Sequence, residues 1–287
     1  MRPAAQLASF VLDAFKVESK PDLALLCREF GLRVKEVDST GFDGALVCSV
    51  GSQKGIIALR RSIREASRKR FTVAHEIGHF VIPYHRRLKN VCESMVVERF
   101  GKELGQPEIE ANEFAAELLL PNRVVRSRFN LKEPNLVGIG EVAHEFETSL
   151  TATTYRYLDL TDLPCAMVWS EANKALWYHT SDAFPFYLPY SELPMSGSIA
   201  GRLFARVSVE SGPHTVPAEL WLDGRDAESV QIMVEDSVRL PSYNAVLSFL
   251  WIVKMDAIVA KSSGSDDELL PELDPQDFTL RRKRWPR

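Results

Sequence analysis

The chain has 287 residues, 45% of them apolar, and a formal net charge of -4. That is enough apolar material for one large domain or two ordinary ones, and the charge balance excludes a generally basic nucleic-acid binder while leaving local basic patches open. The four cysteines, Cys27, Cys48, Cys92 and Cys165, stand far apart without a Cys-x-x-Cys pair, which argues against a disulfide framework or zinc knuckle and fits a reducing cytoplasm.

The mildly apolar run at residues 4–11 is soon interrupted by Asp13 and Lys16, with no small-residue cleavage site behind it. The apolar run at 245–253 ends at Lys254 and Asp256, far short of a bilayer span. A soluble protein with no membrane partner is expected.

Taken in order, Leu7, Phe10, Val11, Ala14 and Phe15 recur as one helical stripe. A second helix opens at Pro21, buries Leu23, Leu26, Cys27 and Phe30, and stops at Gly31. Strands are expected at 32–37, 45–50 and 55–59, forming a small sheet whose edge could take an extended peptide by backbone pairing. Arg60, Arg61, Arg64, Lys69 and Arg70 then form a basic lead-in, read as a solvated face rather than an anion contact.

The next stretch, Phe71-Thr72-Val73-Ala74-His75-Glu76-Ile77-Gly78-His79-Phe80, carries the chemistry. Val73, Ile77, Phe80 and Val81 recur at helical spacing, so His75 and His79, four apart, share a face and can grip one ion. Glu76 is offset around the helix, where a general base would stand without ligating. Gly78 costs about 1 kcal/mol of helix propensity, which makes sense if something approaches the backbone there. The pattern is that of a hydrolytic zinc site. Pro83 ends the helix, and Tyr84 and His85 beyond it are read as surface residues, with oxyanion donation the less favoured alternative.

After a polar excursion over 86–106, Pro107 and Pro121 bracket another helix with four glutamates. Glu110, Glu113 and Glu117 form a stripe that reads as a solvated face. Glu108 shares a face with Ala111, Asn112 and Ala115, small residues that allow close approach, and a buried acid there calls for a partner or a metal. Glu108 is therefore the preferred third ligand and Glu110 the runner-up. Asn112, one turn on, is placed to hydrogen-bond a ligating histidine. Water would take the fourth position, with Glu76 removing its proton.

These two blocks, Arg70 to His79 and Glu108-x-Glu110-Ala111-Asn112-x-Phe114-Ala115-Ala116-Glu117-Leu118-Leu119-Leu120-Pro121, together resemble the ImmA/IrrE metallopeptidases over roughly residues 5–160. The resemblance implies an α+β, zincin-like domain of gluzincin type, a zinc-dependent endopeptidase that cleaves a helix-turn-helix transcriptional repressor to switch on a stress or mobile-element response. It makes His75, His79 and the glutamate ahead of Ala111-Asn112 the metal ligands and Glu76 the base, with zinc as cofactor and manganese as a substitute. It leaves the choice between Glu108 and Glu110 to the helical-face argument.

A short helix is suggested by Val124, Val125 and Phe129. Residues 139–146 and 150–158 then read as helix, turn, helix. A DNA-binding reading would turn Thr151, Thr153, Thr154 and Arg156 to a groove, but Glu141, Glu145 and Glu147 weaken phosphate attraction, and packing or substrate docking is preferred. From Leu163 the texture changes to strands: a hairpin over 165–179, apolar runs at 219–222, 230–234 and 245–253, and a helix within 198–207. Longer members of the resembled family carry a GAF-like sensory domain here. The tail ends in Arg281-Arg282-Lys283-Arg284-Trp285-Pro286-Arg287 and reads as a mobile charged segment.

The expected organisation is a metallopeptidase domain at 1–130, a helix-turn-helix-like segment at 131–162, an α+β GAF-like sensory domain at 163–260 and a charged tail at 261–287. The rival reading is a DNA-binding transcriptional regulator that keeps its metal for structure.

Overall fold

In the computed structural model, residues 2–49, 52–87, 105–129, 134–189, 194 and 196–255 are described. The expected charged tail, Cys92 and most of the polar excursion lie outside them.

Helix α1 (Pro3–Ala14) starts on a proline whose missing N–H costs nothing at that position. It buries Ala4, Ala8, Val11 and Leu12; of the predicted stripe Val11 is in the core and Leu7 and Phe15 pack partly buried against it, while Ala14 is exposed and Phe10 is 69% exposed. The reason is its neighbour: α1 lies along α4 (Gln106–Leu119), and small side chains let the two helices approach closely. Helix α2 (Leu23–Glu29) is capped by the Asp22 carboxylate, which accepts from the N–H groups of Ala24 and Leu25 at 2.9 and 3.1 Å. Gly31, at φ +66°, ends that turn in the left-handed conformation open to glycine.

Strands β1 (Leu32–Val37), β2 (Gly44–Val47) and β3 (Gly55–Arg60) form a sheet in the order β1-β3-β2. β1 pairs parallel and β2 antiparallel with β3, so β2 is an edge strand. Helix α3 (Ala66–Val81) packs Val73, Ala74, Ile77 and Phe80 into one core with Leu46, Ile57 and Leu59 of the sheet and Phe114, Ala115 and Leu118 of α4. Gly78 allows that helix pair to close: a Cβ there would stand 3.1 Å from Phe114 Cδ1. The basic lead-in keeps Arg61 and Arg64 exposed, as expected, and carries ion pairs to neighbouring acids. Arg60 binds Asp43 at 2.6 Å, Lys69 binds Glu36 at 2.6 Å, and Arg61 binds Asp38 at 2.9 Å.

The expected solvated stripe on α4 is corrected. Glu117 is buried, accepting from the N–H of Asn122 at 3.1 Å and lying 3.3 Å from Arg156, while Glu113 pairs with Arg2. α1 on one side and the α6–α7 region on the other cover that face. Burial pushes the Glu117 carboxyl up, and the Arg156 charge only partly offsets it.

Helices α5 (Asn122–Val125), α6 (Leu136–Phe146) and α7 (Leu150–Leu158) follow, with the α6–α7 turn passing through Glu147 at φ +52°. Leu120, Val125, Phe146 and Tyr157 pack into one core with Met167, Leu247 and Phe249 of a second sheet. That sheet has the antiparallel order β5-β4-β8-β7-β6, from β4 (Cys165–Glu171), β5 (Lys174–Thr180), β6 (His214–Val216), β7 (Val230–Leu240) and β8 (Ala245–Met255). The predicted hairpin forms through Ala172 and Asn173, both at positive φ, as a two-residue turn demands. The run at 219–222 is not a strand; Ala218–Leu220 make a 3-10 turn that delivers Trp221 to the core.

Two successive acids on β7 point to opposite faces and each holds a helix start. Glu235 accepts from the N–H groups of Ile199 and Ala200 at 3.0 and 2.7 Å, opening α8 (Ile199–Phe204), and Asp236 accepts from the Leu136 N–H at 2.7 Å, opening α6. Among the described residues no helix is long and apolar enough to cross a membrane.

Candidate metal centre

On α3, His75 and His79 lie one turn apart and turn their Nε2 atoms toward each other at 3.0 Å. Glu108, in the first turn of α4, reaches across: its Oε2 is 3.2 Å from His75 Nε2 and its Oε1 3.4 Å from His79 Nε2. Donors at zinc bond lengths of 2.0–2.1 Å and tetrahedral angles stand about 3.3 Å apart. The three donors therefore converge as one ion requires, and two imidazoles with a carboxylate are a set that zinc favours.

The electrostatics fit the same arrangement. Burial works against charge on Glu108, but hydrogen bonds and charge from His75 and His79 outweigh it and hold the carboxyl well below the usual carboxylate range. Burial likewise works against a charged His75, yet Glu108, Glu76 and Asn112 together raise its pKa. In the metal-free protein these groups share protons that a cation would replace.

Asn112 Oδ1 lies 2.9 Å from His75 Nδ1 and accepts its proton, the role expected from the spacing on α4. Glu110 is turned away from the three donors. Its carboxylate accepts from Tyr84 Oη, from Gln106 Nε2 at 2.9 Å and from His85 Nε2 at 3.3 Å. His85 in turn places Nδ1 at 3.0 Å from Nδ1 of His79. This departs from the surface reading of His85, which is buried, and both its ring nitrogens are engaged, which leaves none for an oxyanion. A 3-10 turn, His85–Arg87, folds the chain back beneath the helix after Pro83. Tyr84 is 42% exposed, and burial together with Glu110 pushes its phenol up to about 12.

Glu76, 0% exposed, stands beside the ligands with its carboxylate toward β2. A Cβ on Gly44 would come within 3.0 Å of Glu76 Oε1 and 2.3 Å of Thr72 Cγ2, so only glycine lets the edge strand lie this close.

The residues considered for DNA are differently disposed. Thr153 and Thr154 are fully buried, their hydroxyls bonded to the carbonyls of Ser149 and Leu150 at 3.0 and 2.8 Å, and Arg156 is held by Glu117. Thr151 is half-buried.

A mixed α+β layer built round a His-His-Glu cluster is the framework of a metallopeptidase domain. The peptidase M78 model, described as the IrrE N-terminal-like domain, matches residues 27–158, and the part of the chain that carries the site belongs to the ImmA/IrrE family. The match runs from α2 to the last residue of α7, taking in the helix pair. No curated protein matches the chain.

Proposed function

We propose that the protein is a zinc-dependent endopeptidase of gluzincin type, acting in the cytoplasm on a helix-turn-helix transcriptional repressor whose cleavage releases a stress-response or mobile-element regulon. The observation that carries the hydrolytic reading is the convergence of His75, His79 and Glu108 beside Glu76. The repressor rests on the family relationship.

His75, His79 and Glu108 would hold a divalent ion, which when bound would supply Lewis acidity toward a peptide carbonyl and a water molecule. Glu76 takes the proton of the attacking water and passes it to the leaving amine, for which its place beside the ligand face suits it. The outer edge of β2 offers backbone groups to an extended substrate, and Gly44 keeps that edge against Glu76. We read residues 1–130 as the peptidase domain, 131–162 as a packing and docking segment, and 163–260 as a GAF-like sensory domain, a role with which the antiparallel five-stranded sheet and its packed helix α8 are compatible.

The test is incubation of purified protein and zinc with candidate helix-turn-helix repressors, with products read by intact mass. One metal-dependent cut is expected, and Glu76→Gln should keep stoichiometric zinc while slowing cleavage by about 10²- to 10⁴-fold. Undiminished cleavage by the variant would overturn the mechanism; intact repressors with a generic peptide still cut would overturn the substrate.

A further inference from the structure

We propose that His85 and Glu110 are positioning residues that fix the proton of His79 on Nδ1 and so aim its Nε2 lone pair into the metal centre, an inference that rests on the metal-centre reading above.

Three groups stand in a row: His79 Nδ1 is 3.0 Å from His85 Nδ1, and His85 Nε2 is 3.3 Å from Glu110 Oε2. A neutral imidazole has one donor nitrogen and one acceptor, so the row can carry its protons in two ways. If His79 donates from Nδ1, His85 accepts there, keeps its own proton on Nε2 and donates it to the carboxylate. Every contact then joins a donor to an acceptor, and His79 Nε2 is bare for the ion. If the order reverses, His79 holds its proton on Nε2, where it blocks ligation, and the bare Nε2 of His85 faces a carboxylate oxygen. Glu108 faces His79 Nε2 at 3.4 Å, so it is with an ion between those two that the carboxylate at the far end of the row selects the first arrangement.

Glu110 is itself held as an acceptor. Gln106 Nε2 donates to Oε1 at 2.9 Å and Tyr84 Oη donates to Oε2, so two donors besides His85 keep this carboxylate turned from the cluster. His85 is 5% exposed, which leaves little room for water to take its place. One helix thus serves both histidines: α4 supports His75 directly through Asn112 and His79 through Glu110 by way of His85. The second path needs an intermediary because His79 lies a turn further along α3.

Two measurements test the arrangement. In zinc-loaded protein with ¹⁵N-labelled histidine at pH 8, the His85 signals should show a protonated Nε2 and a bare Nδ1 that accepts from His79; a proton on His85 Nδ1 would overturn the inference without any variant. Zinc affinity by competition with a chromophoric chelator should fall about 10- to 100-fold in His85→Phe, which keeps volume but offers no acceptor. His85→Asn, whose amide oxygen can accept from Nδ1, should recover most of that loss, and Glu110→Leu should bind weakly but still one zinc per chain. Wild-type affinity in His85→Phe, or equal losses in the Phe and Asn variants, would reduce His85 to a packing residue. Absence of zinc binding by the wild-type protein would instead overturn the metal centre itself.

Discussion

At the scale of single residues, the charges packed round α4 obey different masters. Glu108 and Glu110 are pulled below the usual carboxylate range by their hydrogen-bond donors despite burial, whereas Glu117, two turns beyond Glu110, is raised because burial outweighs Arg156. A raised carboxyl binds its proton more tightly in the folded chain than in the unfolded one. Its contribution to stability is therefore full below the unfolded value of about 4.3 and is lost as pH rises through the folded value. Urea midpoints of wild type and Glu117→Gln, compared across that window, should show the flatter dependence in the variant; parallel curves would refute the assignment. The convergence of His75, His79 and Glu108 was legible because the two histidines lie one turn apart on α3 and Glu108 sits on the small-residue face of α4, where spacing fixes the face. The sequence hid the contact of His85 with His79, since His85 lies six positions further on with Pro83 between, and only the turn after Pro83 decides that the two rings meet. Glu117 was misread for a related reason: an i, i+3, i+7 stripe of acids looks solvated until another helix is known to lie on it.

At the scale of elements, the site depends on two close approaches, α3 to α4 at Gly78 and α3 to β2 at Gly44. The first sets the reach of Glu108; the second sets the distance between Glu76 and the outer edge of the sheet. Gly44→Ala would place a methyl 2.3 Å from Thr72 Cγ2, a stiff β-branched side chain. Overpacking of this kind costs about 1–3 kcal/mol. The variant should unfold at lower denaturant and, because β2 must move off α3, should lose peptide affinity, seen as a raised KM, while still binding zinc. Unchanged KM with lowered stability would separate β2 from substrate binding. The strands and most helices of this half were readable from alternation, caps and prolines. The face of α1 was not, because the choice between Phe10 and the Ala4–Ala8 row is made by the partner helix and not by α1 itself.

At the scale of the molecule, the helices α5–α7 that follow the metal centre share their interior with the second sheet. The core that holds Leu120, Val125, Phe146 and Tyr157 is completed by Met167, Leu247 and Phe249, and Asp236 of the second sheet holds the first turn of α6. Helices give way to strands between Leu158 and Cys165, where the texture of the sequence changes, yet local pattern carries no information about contacts across that point. A fragment ending at residue 160 should therefore expose that core, self-associate on size exclusion and bind a hydrophobic dye. A monomeric fragment with a full-length thermal midpoint would contradict this. The brevity of β2 bears on the molecule's counterpart as well. Four residues span about 13 Å of extended chain, so such an edge reads little more than a short straight run of backbone and cannot engage a helix. In the repressor proposed above as substrate, a cut of this kind would fall in an extended stretch of chain between structured parts.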